Sequence, residues 1–442
     1  MHVRFNGLID TSVVNLYQAT DAPALGPADV TVVGAVTGAQ TGSLVFDADG
    51  YGFRFVKTGG PLAPDTYTVT LASGSAGLQD AFGVLDGNGD QIAGDAYVGR
   101  FTVAGGTATL GIPDFMRGPG QAVDVPAGNG DGIPITLTSD GSVRSLVFTI
   151  AYDPQLLQLA GVTEGNRLPK GATLSVDLGT PGLATLTLLS PKPLAKGEIT
   201  LGSLVAMVPA AASYGAVQRL DLTVLSVNGG DAAGMVADDA VHVVGYLADA
   251  NATGSYDQGD VERIVAVATG NDSGFSAWQV IDPVVVADVK VDGAVTKLDA
   301  KRVEQAIRRD GIGHDIPPLP ASAFEWLTTT ASRSDQIRFA PLDGPIGSFV
   351  TTGFERLDVA APVAEAPGLS MTVRVPAGVT ARTDPSALVI DLGARFEDSS
   401  LTSLPSSVSA VADDWRVAFL GLSSEPGSRY NPNSRIKIGA PR

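Results

Sequence analysis

Apolar and polar side chains alternate along most of this chain. Tyr67, Val69 and Leu71 recur at every second position of Thr66–Leu71, and Phe101 and Val103 repeat the pattern. A period of two places alternate side chains on one face of a strand. Val3 and Phe5 alternate in the same way, so the chain reads as a piece of a longer protein. Turn clusters such as Asp47-Ala48-Asp49-Gly50 and Thr58-Gly59-Gly60-Pro61 interrupt the strands about every ten residues, a rhythm that predicts a β-sandwich over residues 1–106. Residues 107–245 predict a second one. There Val147–Tyr152 is stopped by Asp153-Pro154, and Ile199–Met207, Leu220–Val227 and Asp239–Val244 follow.

The period then changes. Val261, Ile264, Val265 and Ala268 follow Asp260 at helical spacing, and Val303, Ala306 and Ile307 repeat the stripe after Asp299. This predicts two helices within residues 246–314, each introduced by an Asp-rich loop. Phe275, Trp278 and Ile281 between them are expected to pack the helices together. Residues 315–320 (DIPPLP) predict a stiff linker. Residues 321–442 read as β-rich, with strands at Gln336–Phe339, Ser370–Val375, Ala387–Leu392 and Trp415–Leu420. The fold class expected is mainly β.

Composition narrows the function. The formal net charge of −18 argues against a nucleic-acid binder and against electrostatic binding to anionic lipid. The absence of cysteine removes disulfides, thiolate nucleophiles and Cys-ligated metals. Three histidines, of which His242 lies in a predicted closing strand, leave little for a catalytic triad. No GxSxG, HExxH or P-loop occurs. The acid is chosen unevenly, with 38 Asp to 9 Glu. Asp is a turn former and a short-armed calcium ligand.

Two loops carry that chemistry. Calcium takes six to eight oxygens, and an EF-type loop supplies them from positions 1, 3, 5, 7 (backbone), 9 and 12, with glycine at 6. In the first loop these positions are Asp249, Asn251, Thr253, Ser255, Asp257 and Asp260, with Gly254 at the turn and Tyr256 at position 8. The second offers Asp288, Asp292, Ala294, Thr296 and Asp299, with Gly293 at the turn. Lys290 occupies position 3, where an ammonium ligates nothing. Either it swings out or its charge partly replaces the ion. A weaker candidate is Asp86, Asn88 and Asp90, spaced two residues apart. Calcium is the only cofactor expected.

Three resemblances follow. The stretch Phe55–Leu71 resembles the bacterial Ig-like domains of large secreted and surface proteins, which implies a spacer or adhesive module, and Pro64-Asp65-Thr66-Tyr67 places Tyr67 as a corner tyrosine. Leu146–Gly165 (LVFTIAYDPQLLQLAGVTEG) resembles the cohesin domain, and Lys196–Val208 fits its later strands. That implies a jelly-roll sandwich that binds dockerins and is not an enzyme. The paired loops resemble a type I dockerin, although they start 39 residues apart, longer than is usual. In dockerins the partner is read from loop positions 10 and 11, here Gln258, Gly259, Lys297 and Leu298. These pairs differ, which puts a symmetric dual binding mode in doubt.

The expectation is therefore a non-catalytic, calcium-binding structural or adhesive segment of an extracellular bacterial protein. Its partners would be other protein modules or copies of itself. A carbohydrate-binding module is the alternative, and a hydrolytic enzyme within residues 321–442 is a further rival. Only Gly245–Ala248 separates the second block from Asp249, about 14 Å at full stretch. The helical part should thus be fixed beside or at the end of the sandwich rather than tethered freely.

Overall fold

The computed structural model describes residues 1–127, 132–308 and 316–320 in full, and beyond them nine short strands between Gln336 and Gly439. The chain forms two units, Met1–Pro320 and Ala321–Arg442.

The first unit opens with β1 (His2–Arg4), β2 (Val30–Gly34), β3 (Gly38–Ala39), β4 (Gly42–Phe46), β5 (Gly52–Lys57) and β6 (Asp65–Leu71). A small hairpin of β7 (Gln79–Asp80) and β8 (Gly83–Val84) and the strand β9 (Tyr97–Val103) follow. They pair as a sheet β1-β5-β4 and a sheet β3-β2-β6-β9. One core, built on Leu44, Phe53, Tyr67, Val69 and Leu71, lies between them. The alternation in β6 points Tyr67, Val69 and Leu71 inward, as their period predicts. Tyr67 takes its hydroxyl into the core and donates to the Ala63 carbonyl at 2.8 Å, four residues upstream. That bond satisfies a polar tip whose burial is otherwise costly.

The next part comprises β10 (Ala108–Gly111), β11 (Phe115–Arg117), β12 (Ala122–Val123), β13 (Ile133–Ser139), β14 (Ser145–Ala151) and β15 (Gln158–Glu164). It continues through β16 (Thr173–Thr180), β17 (Leu183–Leu189), β18 (Gly197–Met207), β19 (Val217–Val227), β20 (Met235–Asp238) and β21 (Ala240–Val244). One sheet runs β12-β18-β13-β10-β20 with β15 also on β18, and the other runs β11-β21-β19-β14-β17-β16. Ile135, Leu137, Leu146, Phe148, Ile150, Leu186, Leu201 and Leu222 fill the space between. Truncating such a fully buried Leu or Phe to Ala costs about 2–5 kcal/mol. His242 is buried within this part, stacked on Phe115 with ring centroids 4.6 Å apart. The stretch Asn129-Gly130-Asp131-Gly132, a turn by sequence, lies outside the described residues apart from Gly132.

Helices follow at α1 (Gln258–Ala268), α2 (Pro283–Ala287) and α3 (Lys297–Arg308). The first starts two residues before the expected Asp260. Asp257 is its N-cap, and Asp257 and Asp260 form a reciprocal capping box that satisfies the exposed first-turn amides. Val261, Ile264, Val303 and Ala306 are buried, but Val265 is 37 % exposed, so the stripe on α1 is narrower than its spacing predicts. Phe275, Trp278 and Ile281 join the helices in one core. That core also contains Met116 and Val243, from β11 and β21 at one edge of the second sandwich. The helices therefore sit against a sheet edge.

The proline segment, a stiff linker by its composition, packs against earlier parts of the chain at Ile316, Pro317 and Pro318. Ile316 is buried with the helices, and the Pro317 and Pro318 carbonyls accept hydrogen bonds from Tyr256 (3.3 Å) and Gln121 (3.0 Å). Apolar burial and two satisfied carbonyls hold it down.

In the second unit one sheet runs Gln336–Phe339, Met371–Arg374, Phe354–Val359, Phe349–Thr351, Ala394–Arg395. The other runs Thr383–Asp384, Ala387–Asp391, Arg435–Gly439, Arg416–Phe419. Trp415 lies outside the described residues. The molecule is mainly β.

Candidate metal centre

The two Asp-rich loops fold onto the same scaffold. In the first, Asp249 accepts the amides of Thr253 (3.0 Å) and Gly254 (2.7 Å), and Asp260 accepts those of Asn251 (3.1 Å) and Asp257 (2.8 Å). In the second, Asp288 accepts the amides of Asp292 (3.2 Å) and Gly293 (2.7 Å), and Asp299 those of Lys290 (3.0 Å) and Thr296 (2.8 Å). In each loop position 1 thus accepts from positions 5 and 6, and position 12 from positions 3 and 9. The chain turns through the left-handed region at positions 4 and 6 of both loops: Ala252 (φ 56°) and Gly254 (φ 79°), Val291 (φ 57°) and Gly293 (φ 86°). Glycine takes that conformation without strain, whereas Ala252 and Val291 take it at a cost.

Electrostatics separate the loops. Asp249 and Asp260 are fully buried. Desolvation pushes the Asp249 carboxyl up to about 6 and the Asp260 carboxyl up to about 8, and their mutual repulsion adds to the Asp260 shift. Asp257 accepts from Asn251 Nδ2 at 3.0 Å and Gly259 N at 2.7 Å. Thr253 and Ser255 bring their hydroxyls within 3.2 Å of each other. This all-oxygen set around two buried carboxylates fits a calcium ion, whose charge offsets the repulsion. Asp249, Asn251, Thr253, Ser255 (by its carbonyl), Asp257 and Asp260 are the residues that would hold it.

In the second loop Asp299 is fully buried and also accepts the Thr296 hydroxyl at 2.7 Å. Lys290 places its ammonium 3.2 Å from Asp292, so its charge partly stands where a cation would act. Asp288, Asp292, Thr296 and Asp299, with the Ala294 carbonyl, offer fewer side-chain oxygens, and they fit the ion less well.

The third candidate gathers one more residue than its spacing names. Asp86 accepts from Gly89 N and Gln91 N, each at 2.8 Å. Asn88 turns its oxygen to the Asp90 amide and its amino group to Asp90 and Asp95, the arrangement that Asn251 makes with Thr253 and Asp257 in the first loop. Asp95 supplies a third carboxylate, with oxygens of Asp86, Asp90 and Asp95 within 4.8 Å of one another. The two-residue spacing conceals Asp95, because only the folding back of the hairpin delivers it.

Of the expected partner-reading positions, Gln258, Lys297 and Leu298 are exposed. Gly259 is half-buried beside Asp257, Asn251 and Arg263. Arg263 donates to the Gly259 carbonyl at 3.4 Å and pairs with Asp21 of the first sandwich at 2.9 Å. The end of the first loop is thus partly covered by the chain itself, whereas the end of the second is open.

Residues 121–244 match the family model of the cohesin domain. Among solved structures the chain is similar to a cohesin of Clostridium acetobutylicum, at 19% identity over 32% of this chain and 92% of that one, with a TM-score of 0.27. The third ScaC cohesin of Acetivibrio cellulolyticus, solved in complex with the ScaB dockerin, is 17% identical over 31% and 98%, with a TM-score of 0.27. A non-cellulosomal cohesin of Archaeoglobus fulgidus is 11% identical over 31% and 91%, with a TM-score of 0.25. The chain as a whole matches no curated protein. Among the described residues no helix is long and apolar enough to cross a membrane. The part of the chain directly before the first loop, residues 121–244, is thus similar to the cohesin domain by its family match.

Proposed function

We propose that this chain is a calcium-binding, non-catalytic assembly segment of an extracellular or cell-surface protein. In it an Ig-like sandwich and a cohesin domain are followed by a dockerin-like pair of calcium loops. The observation that carries the metal reading is the shared scaffold, in which both loops aim the amides of positions 5 and 6 at position 1 and those of positions 3 and 9 at position 12. Two separate stretches of chain reach that arrangement, and oxygen donors line both. Sites of extracellular modules bind calcium at about 10⁻⁴–10⁻³ M, which suits secretion.

The cohesin domain would take a dockerin-type module of another protein or of a second copy. The chain's own helices are held at the sheet edge by Met116 and Val243 and are not free to reach across it. Lys297 and Leu298, on the open second loop, are the positions available to a partner. The exposed large apolar residues on the cohesin sheets are Leu189, Val205, Met207 and Leu225. These are aliphatic and do not make aromatic sugar platforms, so assembly is preferred to carbohydrate binding. The test is calorimetric calcium titration of the full chain, followed by sizing and dockerin pull-down with and without chelator. Saturable calcium uptake and a dockerin-dependent shift support the reading. Failure of both ends it.

A further inference from the structure

We infer that the first loop is completed from outside itself, and that Tyr214 of the cohesin domain is a positioning residue for Asp249; this rests on the calcium reading above. Tyr214 lies between β18 and β19, 35 residues before Asp249, and donates its hydroxyl to Asp249 Oδ2. The direction of that proton is fixed. The Tyr246 amide donates to the same hydroxyl oxygen at 3.1 Å, so the single hydroxyl proton goes to the carboxylate. Oδ2 also takes the Gly254 amide, whereas Oδ1 takes the Thr253 amide. Three donors from two parts of the molecule thus set the rotation of one buried carboxylate.

Trp278 fixes the same residue from the other side. Its indole Nε1–H donates to the Asp249 carbonyl at 2.8 Å, and its ring lies 6.1 Å from that of Tyr214. Trp278 belongs to the segment between the loops, and that segment is strapped to the first sandwich. The Leu44 amide donates to Val280 O and the Leu16 amide to Gln279 O, each at 2.8 Å. Asp272 accepts the Thr20 amide at 2.8 Å, and Ser43 Oγ accepts the Asp282 amide at 2.9 Å. Asp249 is therefore held by the second sandwich through Tyr214 and by a segment, through Trp278, that is itself bound to the first sandwich. Ordering Asp249 for an ion and docking the helices on the cohesin edge are one equilibrium. Asp288, at the same position of loop two, accepts the corresponding two amides of its own loop.

A partner that orients a metal ligand from behind contributes about 10–100-fold to affinity. The test uses the full chain carrying Asp292→Asn, which weakens the exposed second loop and leaves the first. Calcium is titrated calorimetrically with and without Tyr214→Phe, and hydrogen exchange of residues 209–217 is followed in calcium and in chelator. We expect Tyr214→Phe to weaken loop one about tenfold, to lower melting in chelator by less than in calcium because the Tyr246 amide loses its acceptor in both, and to abolish the calcium-induced protection of residues 209–217. An unchanged loop-one constant overturns the inference while leaving the calcium reading intact. So does a melting loss of equal size with and without calcium, which would make the hydroxyl purely structural. If the parent takes up no calcium at all, the calcium reading falls and this inference with it.

Discussion

The two Asp-rich loops share a backbone and differ in what surrounds them. Loop one buries Asp249 and Asp260 completely and borrows a hydroxyl from Tyr214 and an indole from Trp278. Loop two also buries its position-1 and position-12 carboxylates, Asp288 and Asp299, but leaves Asp292 open to solvent with Lys290 beside it. The same sequence spacing therefore yields one site whose position 1 is held from outside the loop and one whose middle is open. Spacing specifies the turn, and the surroundings specify its electrostatics. Repulsion between buried carboxylates is strong because little water screens it.

The largest effect expected comes from cutting the position-12 carboxylates. Asp260→Ala strands two amides and removes a ligand of the proposed ion, at about 3 kcal/mol or more in calcium. Asp299→Ala should cost less in calcium, because loop two has fewer oxygens to lose. In chelator the order should vanish or reverse, since Asp299 accepts three hydrogen bonds and Asp260 two. Melting of both variants in both conditions checks this, and equal losses in calcium would break the comparison. Chelation itself should remove about 2.7 kcal/mol from a site held at one hundred times its Kd. Hydrogen exchange should rise first in residues 249–260 and 284–300, with the two sandwich cores still protected.

A control independent of both loops lies where the sandwiches meet. Asp114 accepts the Val241 amide at 2.7 Å, and desolvation raises its carboxyl to about 7, with Asp282 adding to the shift. Asp238, also raised to about 7 by desolvation, repels Asp114 in turn. Below 3.8 both the folded and the unfolded Asp114 hold the proton. Between 3.8 and about 7 only the folded chain does, so stability falls as pH rises through that window. Asp114→Asn should flatten this slope and stabilise the chain at pH 8 by about 2 kcal/mol after screening, equally with and without calcium. Asp249 and Asp260, raised to about 6 and 8, add a calcium-dependent part to the slope of parent and variant alike, so only a calcium-dependent difference between the two would move the effect to the loops.

Lys290→Asn restores an oxygen and removes a positive charge at loop two. Tightening of about five- to tenfold, near 1 kcal/mol, should appear in a calcium titration, and loop one should not respond. The smallest effect expected is from Arg263→Ala, which breaks the half-exposed pair with Asp21. Such a pair contributes about 0.5 kcal/mol. A larger loss, measured by denaturant unfolding, would mean that the cover over Gly259 matters more to loop one than its exposure implies.

Much of this was legible in the sequence. The alternation in Thr66–Leu71 marks β6 and its inward face, and Leu220–Val227 lies within β19. Glycine at position 6 of each loop, Gly254 and Gly293, stands where the backbone turns left-handed. The rest was hidden for a physical reason. Val265 fits a helical stripe, yet it is 37 % exposed, because the period fixes the face of a helix and not how far its neighbours cover it. Asp95 lies outside the spacing of Asp86 and Asp90. Ile316 and its prolines read as a spacer, although their burial depends on a core formed by residues far earlier in the chain.

The sequence by itself determined what a few neighbouring residues decide: the periods of strand and helix, the turn chemistry and the order of oxygens along each loop. These follow from sterics and hydrogen bonding within about a dozen residues. Only the tertiary structure decided that Tyr214 and Trp278 would orient Asp249 and that the segment after α1 would strap to β4. It also decided that the middle of the second loop, from Lys290 to Ala294, would lie more open than that of its twin. Such contacts join residues up to some 250 positions apart, and no local spacing records them. They form only once both sandwiches have folded and their edges meet.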